Sequence, residues 1–169
     1  RQRQMCIRDR KNTSTIFQKI GSSIDIDQRL YKEDIIASIA HVEMLFKQKI
    51  IPFKIKNKII YGLNKIEKEI TRKKFEFSKK HEDIHLNIEK RLFEIIGEEA
   101  GYLHTARSRN DQVITDFKIW IRSATKEINI RIDKLIKSSL KLAEKNVYTI
   151  MPGFTHLKNA QAISFAHYL

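Results

Sequence analysis

The chain has 169 residues, enough for one substantial hydrophobic core, and carries a formal net charge of +13. Its single cysteine, Cys6, excludes an internal disulfide framework, and no stretch approaches the roughly 20 uncharged apolar residues of a membrane span. Only five glycines and two prolines interrupt a sequence rich in Ile, Lys and Glu, which favours long helices. We therefore predict an all-α, soluble, cytoplasmic protein.

The basic residues are dispersed among acidic ones, as in GLNKIEKEITRKKFEF, and this pattern is typical of solvated helix faces. Residues 1–10, RQRQMCIRDR, differ from the lysine-rich remainder because they are rich in arginine and lack an apolar period. We predict that residues 1–10 are a foreign or disordered tail. We also predict that neither nucleic acid nor a membrane is a partner.

Helical spacing of the apolar residues predicts three helices in the first hundred positions. The first begins near Asp34 and is predicted to turn one side inward, formed by Ala37, Ala40, Met44 and Leu45. Pro52 lies in the following loop, the second helix covers about residues 59–74, and the third covers about residues 83–96 with Gly97 as its stop. The inward residues of the second and third helices are predicted to be Ile59, Leu63, Ile66, Ile70, Ile84, Ile88, Leu92 and Ile95.

The fourth predicted helix is the longest and covers about residues 116–146. Its apolar stripe runs for about eight turns, or ~45 Å at 1.5 Å per residue, which is typical of one member of a helix bundle. The stripe consists of Phe117, Trp120, Ala124, Ile128, Ile132, Leu135, Ile136, Leu140 and Ala143. After the break at MPGFTH, residues 160–169, AQAISFAHYL, are predicted to begin another helix.

Residues 81–85, HEDIH, match the His-Glu-x-x-His pattern of zinc proteases. Asp83 is well suited to cap the third helix, which would place the first two residues of the pattern before the helix and remove the required geometry. No recognisable third-ligand motif follows, so we predict no metal site. We expect His85 and Glu89 to form a pair one turn apart on the polar side of that helix.

The segment GYLHTARSRNDQ concentrates hydroxyl, guanidinium and carboxamide groups, which together can bind carboxylates. The alternative is a polar turn in which Ser108 or Asp111 caps the fourth helix. The segment MPGFTHLKNAQ places Thr155 beside His156, whose imidazole could exchange protons near neutral pH, although a histidine in a loop is often structural. Because a long helix separates the two segments, a site that uses both would draw them from different subunits.

The sequence LHTARSRNDQVITD, followed by MPGFTHLKNAQAISFAH, resembles the argininosuccinate lyases of the fumarase and aspartase superfamily. The resemblance extends through EDIHLNIEKRLFEIIGEEAG and SSIDIDQRLYKEDIIASIAHVEML to cover about residues 20–169, and SRNDQ is its discriminating motif. It implies a small amino-terminal helical domain at residues 11–105. Residues 106–169 would then begin the truncated long-helix bundle of that superfamily.

The resemblance implies that argininosuccinate is cleaved to arginine and fumarate by β-elimination, in arginine biosynthesis, without a metal or organic cofactor. It also implies a homotetramer whose active sites are shared between subunits. Carried over by position, His156 is the catalytic acid or base, and His85 and Gln112 support the site. The substrate-binding positions are Ser23, Ser108, Arg109, Asn110 and Thr155.

The sequence departs from the family pattern at Ala106, where a glycine is usual, and the alanine would strain the loop if its φ were positive. The chain also stops before the glycine- and serine-rich loop that brings the family's catalytic serine, so we expect an amino-terminal fragment that is inactive alone. Two alternatives remain. One is a lyase of the same superfamily that releases fumarate from a different succinyl compound, and the other is a non-catalytic basic helical binding module, which salt-dependent nucleic-acid retention would support.

Overall fold

The computed structural model describes residue 16 and residues 20–169, so the predicted tail at residues 1–10 lies outside the described residues. Two compact units are present, one ending at Trp120 and one comprising Ile121–Leu169. The predicted domain boundary between residues 105 and 106 stays a prediction.

The described residues are predominantly helical, as predicted, with one two-stranded sheet. None of their helices is both long enough and apolar enough to cross a membrane. The short 3₁₀ helices are Gln28–Leu30, Lys79–His81 and Gly97–His104. The other elements, in chain order, are α1 Ile24–Asp27, α2 Tyr31–Lys47, α3 Phe53–Thr71, α4 Ile84–Ile96, α5 Arg109–Lys145, β1 Ile150–Thr155, β2 Lys158–Ser164 and α6 Phe165–Tyr168.

Helix α4 begins and ends where its capping residues predict. The Oδ1 atom of Asp83 accepts a hydrogen bond of 2.7 Å from the backbone N–H of Leu86, and Gly97 follows the last turn with φ of 76°. His81 belongs to the preceding 3₁₀ helix. The histidines of the HEDIH pattern are therefore not on one helix, as predicted.

Helices α2, α3 and α4 enclose the core of the first unit. The inward faces predicted for α3 and α4 are confirmed, with Ile70 and Ile95 at the partly buried edge of the core. At Gly62 on α3, an added Cβ would lie 2.4 Å from the Cδ1 atom of Leu92, so this glycine allows the two helices to approach closely. The buried apolar residues are Ile24, Ile35, Val42, Leu45, Ile51, Ile59, Leu63, Ile66, Ile84, Ile88, Leu92 and Leu103.

The inward face predicted for α2 is confirmed only at Leu45, which is buried, and in part at Ala37, which is half-buried. Ala40 and Met44 are exposed, whereas Ile35 and Val42 are buried on the same side as two polar residues. Those polar residues, Asp34 and Ser38, have hydrogen-bonding partners on other elements, which offsets the cost of burying them.

Helix α5 begins at Arg109 rather than near residue 116, because Ser108 caps it: its Oγ atom accepts a 3.2 Å hydrogen bond from the backbone N–H of Asn110. The helix has 37 residues, or ~55 Å at 1.5 Å per residue. Much of its apolar stripe is exposed, including Ile128 at 55%, Leu135 at 67% and Leu140 at 59%.

The segment after α5 forms a β-hairpin, so the helix predicted for residues 160–169 is wrong except at Phe165–Tyr168. Strands β1 and β2 are antiparallel, and Thr155 pairs with Lys158. The two residues between them, His156 and Leu157, have φ of 48° and 61°. Positive φ at both positions matches the right-handed twist of a two-residue hairpin, so strand pairing is favoured over a helix here.

Candidate functional site

Four polar side chains are buried together in the first unit, with between 0% and 2% of each residue exposed. They are Asp34 on α2, His85 on α4, and Gln112 and Asp116 on α5. The Nδ1 atom of His85 lies 3.0 Å from Oδ1 of Asp34 and 3.4 Å from Oδ2 of Asp116. Gln112 donates from Nε2 to the same Oδ1 atom of Asp34. We call these four residues the buried polar cluster.

The two carboxyl groups of the buried polar cluster have opposite pKa shifts. Burial acts to raise the pKa of Asp34, but hydrogen bonds from His85 and Gln112 hold it below its usual range. Burial, reinforced by the negative charge of Asp34, raises the pKa of Asp116 to about 8. At neutral pH Asp34 is therefore ionised and Asp116 is mostly protonated, which avoids two adjacent buried negative charges.

The ligand atoms of Asp34, His85 and Asp116 lie within 4.8 Å of one another, so this set could in principle hold a cation. Hydrogen bonds account for Asp34, whereas the two buried carboxyl oxygens of Asp116 have no hydrogen-bond partner among the described residues. Gln112 already donates to Asp34, and the guanidinium group of Arg107 provides positive charge near Asp116. The absence of a metal site stays a prediction.

The guanidinium group of Arg109 connects the buried polar cluster to the SRNDQ segment. Its Nη1 atom donates to Oε1 of Gln112 at 2.8 Å, and its Nη2 atom lies 3.1 Å from Oε1 of Glu89. Asp83 is more distant, with Oδ2 at 4.0 Å from the arginine Nε. Arg109 is thus held by two neighbours and remains only half-buried.

The predicted surface pair of His85 and Glu89 is wrong. His85 is buried against Asp34, whereas Glu89 lies beside Arg109 and 3.5 Å from the Nδ1 atom of His104. Burial acts to raise the pKa of Glu89, but His104 and Arg109 hold it below its usual range. Both side chains of the expected pair have stronger partners on other elements than they have in each other.

The segment before α5 combines an unusual backbone with an incompletely paired arginine. Ala106 has φ of 54°, so the condition under which the sequence predicted strain is met. Arg107 donates from Nη1 to Oγ of Ser38 at 3.1 Å, but its buried Nε and Nη2 atoms have no hydrogen-bond partner among the described residues. Ser108 and Asn110 are exposed at the first turn of α5.

Ser23 is exposed and joins the segment before α1 to the start of α4. Its Oγ atom donates to Oδ2 of Asp27 at 2.6 Å, and its backbone N–H donates to the carbonyl of Glu82 at 2.8 Å. Asp27 also accepts a 3.1 Å hydrogen bond from the backbone N–H of Ile84. These hydrogen bonds hold Ser23 at the amino-terminal end of α4, which Asp83 caps.

Thr155 and His156 lie in the second unit, at the tip of the hairpin. Thr155 is the last residue of β1, His156 is the first residue of the turn, and both are exposed.

Residues 8–169 match the protein family described as Lyase. The chain belongs to this lyase family. The argininosuccinate lyase of Pelagibacter ubique (strain HTCC1062) is 75% identical to it over 162 residues, which is 96% of this chain and 35% of that protein. That of Bartonella bacilliformis is 49% identical over 156 residues, 92% of this chain and 34% of that protein. The chain thus spans about a third of the length of these curated relatives.

A solved structure of an EDDS lyase variant with bound fumarate has the same fold as this member of the lyase family. The TM-score is 0.74 at 23% sequence identity, and the match covers 95% of this chain and 32% of that one. The resemblance drawn from the sequence motifs is therefore confirmed at the level of family and fold.

Among the residues predicted for the site of this lyase, the structure brings His85, Gln112 and Arg109 together, because His85 and Gln112 both bond to Asp34 and Arg109 bonds to Gln112. Sequence reasoning did not assign Asp34 or Asp116 to the site. A signal was present for both. Asp34, Ser38 and Val42 recur at intervals of four residues along one side of α2, and Asp116 follows Gln112 by one helical turn.

Proposed function

We propose that this chain is part of an argininosuccinate lyase that acts in the cytoplasm, in arginine biosynthesis, and cleaves argininosuccinate to arginine and fumarate. The observation that carries the proposal is the 75% identity to the Pelagibacter ubique argininosuccinate lyase over 96% of this chain. Within it, we propose that residues 11–105 form an amino-terminal domain and that residues 106–169 begin the helical bundle.

The proposed reaction is a β-elimination. A base removes a proton from the carbon next to a carboxylate, which places additional negative charge on that carboxylate. The bond between the neighbouring carbon and the guanidinium nitrogen then breaks, the nitrogen gains a proton, and fumarate and arginine are released. The site must therefore stabilise a carboxylate strongly and supply groups that exchange protons.

We propose that the first turn of α5 binds the substrate's carboxylates. Ser108 and Asn110 are exposed there, and the positive end of a helix dipole favours an anion. Arg109 adds a full positive charge beside them. We propose that Ser23 and Thr155 contribute further hydroxyl groups, while His85 and Gln112 support the site from the buried polar cluster.

We propose that His156 is the acid or base that exchanges a proton with the substrate. Its exposure leaves the imidazole free to meet a substrate, and an imidazole suits proton transfer near neutral pH. His156 follows α5 in the chain whereas Asn110 begins it. We propose a homotetramer in which each active site takes these segments from different subunits, and the exposed apolar stripe of α5 supports association because such a surface requires a partner.

The test uses a chimera in which this chain replaces the matched segment of the Pelagibacter ubique enzyme. We expect the chimera to release fumarate from argininosuccinate, and the absorbance of fumarate measures the rate. His156→Asn should lower kcat by about 10²–10⁴-fold, the usual contribution of proton transfer. Asn110→Ala should raise KM as well as lower kcat, because it removes a substrate contact.

His81→Ala is the matched control, because His81 lies in the 3₁₀ helix before α4 and has no proposed role. Its turnover should equal that of the parent. A chimera that sediments as a folded tetramer but releases no fumarate would refute the proposed substrate. Near-parental turnover in His156→Asn would refute the proposed acid–base role.

A further inference from the structure

A continuous series of hydrogen bonds runs from Asp34, which is 1% exposed on α2, to Arg109 at the start of α5. Asp34 accepts from the Nε2 atom of Gln112, and Oε1 of Gln112 accepts from Nη1 of Arg109 at 2.8 Å. The second NH₂ group of Arg109, at Nη2, lies 3.1 Å from Oε1 of Glu89. The guanidinium group is therefore held on both sides.

The negative charge of Asp34 determines which group donates and which accepts in each hydrogen bond of this series. An ionised carboxylate can only accept, so it selects the orientation of the Gln112 amide in which the NH₂ group points inward. The carbonyl oxygen of Gln112 then points outward, where it accepts a hydrogen bond from the guanidinium group of Arg109. His85 contributes a second donor to the same Asp34 oxygen, at 3.0 Å, which strengthens the selection because a charged acceptor binds donors more strongly.

We propose that Asp34 is a positioning residue that acts through Gln112 to fix the guanidinium group of Arg109 in the orientation that meets a substrate carboxylate. The proposal rests on the proposed function for the identity of the ligand, a substrate carboxylate. A bidentate arginine–carboxylate contact depends on the plane of the guanidinium group, so loss of this support should weaken binding even when the charge of Arg109 remains.

The first experiment needs no substrate. In the 169-residue chain, ¹⁵N NMR of labelled arginine measures how fast the NH₂ groups of Arg109 rotate about their C–N bonds. Asp34→Asn and Gln112→Met should each accelerate this rotation on the order of tenfold, the effect of losing one hydrogen bond to a charged group. Gln112→Met keeps the side-chain volume and carries the test if Asp34→Asn does not fold.

Asn87→Ser is the matched control. Asn87 is also a buried amide, but its partners are Ser78 and the backbone of Asp83, and it does not bond to Arg109. It should lower stability without changing the rotation rate. Unchanged rotation in Asp34→Asn and in Gln112→Met would overturn the proposal, as would equal acceleration in Asn87→Ser.

The second experiment separates positioning from general stability in the chimera described above. Asp34→Asn should raise KM for argininosuccinate about tenfold while kcat changes less. In the Gln112→Met background, Asp34→Asn should raise KM little further, because both changes interrupt the same series of hydrogen bonds. A structural role alone would reduce the amount of active enzyme at constant KM. Unchanged KM, or fully additive effects, would overturn the proposal. A parent chimera that releases no fumarate would refute the proposed function, while the NMR result would still decide whether Asp34 positions Arg109.

Discussion

Replacing Ala106 with glycine should stabilise this protein. Ala106 has φ of 54°, in the left-handed region that costs a residue with a Cβ roughly 1–2 kcal/mol. Glycine removes that cost but gives the unfolded chain more freedom, which takes back about 0.4–1 kcal/mol. Because Ala106 is exposed, the substitution loses no buried contact. The net expectation for Ala106→Gly is a gain of about 0–1.6 kcal/mol in the free energy of unfolding, with a central value of about 0.8 kcal/mol.

Urea titration followed by the fluorescence of Trp120, the single tryptophan, measures this change within the first unit. Ala40→Gly is the matched control, because Ala40 is also exposed but lies inside α2. Inside this helix, replacing alanine with glycine should lower the free energy of unfolding by about 0.5–1 kcal/mol. If both substitutions destabilise the first unit equally, the positive φ of Ala106 carries no strain and the reasoning is refuted.

Two further predictions concern the core and its pH dependence. Gly62→Ala should destabilise the first unit by up to about 2 kcal/mol in urea. A Cβ atom there would lie 2.4 Å from a leucine side chain of α4, which costs about 1–3 kcal/mol, and the better helix propensity of alanine offsets about 0.5–1 kcal/mol of this; parental stability would show that α3 and α4 separate easily. The folded-state pKa of Asp116 is about 8, above its ordinary value of 3.8. The stability that Asp116 contributes is therefore fully present below pH 3.8. It is lost as the pH rises to about 8, by up to about 1.4 kcal/mol per pH unit. Asp116→Asn should flatten the fall in unfolding free energy between pH 5 and pH 8. An unchanged slope would refute the assignment to Asp116 and leave the other titratable groups around this carboxyl, namely Glu33, Asp34, His85 and Arg107, as its source.

The sequence by itself determined the features that depend on neighbouring residues. The limits of α4 follow from the Asp83 side chain, which bonds three residues ahead, and from Gly97, which tolerates a positive φ. The inward faces of α3 and α4 follow from apolar residues at helical spacing. The motif around Arg109 was enough to predict the family, because it is a contiguous string.

Local signals also failed where two structures competed. Residues 160–169 have an apolar pattern compatible with a helix, but the two positive φ angles at His156 and Leu157 turn the chain into a hairpin, and pairing with β1 then determines the structure of β2. The apolar face predicted for α2 failed for a different reason, because residues with polar side chains occupy part of its buried side.

Only the tertiary structure decided which polar groups are buried together. Asp34 meets His85 across 51 positions of the sequence and meets Gln112 across 78, so no local period reports either contact. A buried carboxylate is tolerated only when donors surround it, and those donors come from α4 and α5 after the helices have packed. The same packing sets the opposite pKa shifts of Asp34 and Asp116. Burial acts to raise the pKa of both, but hydrogen bonds from His85 and Gln112 lower that of Asp34, whereas the negative charge of Asp34 raises that of Asp116 further.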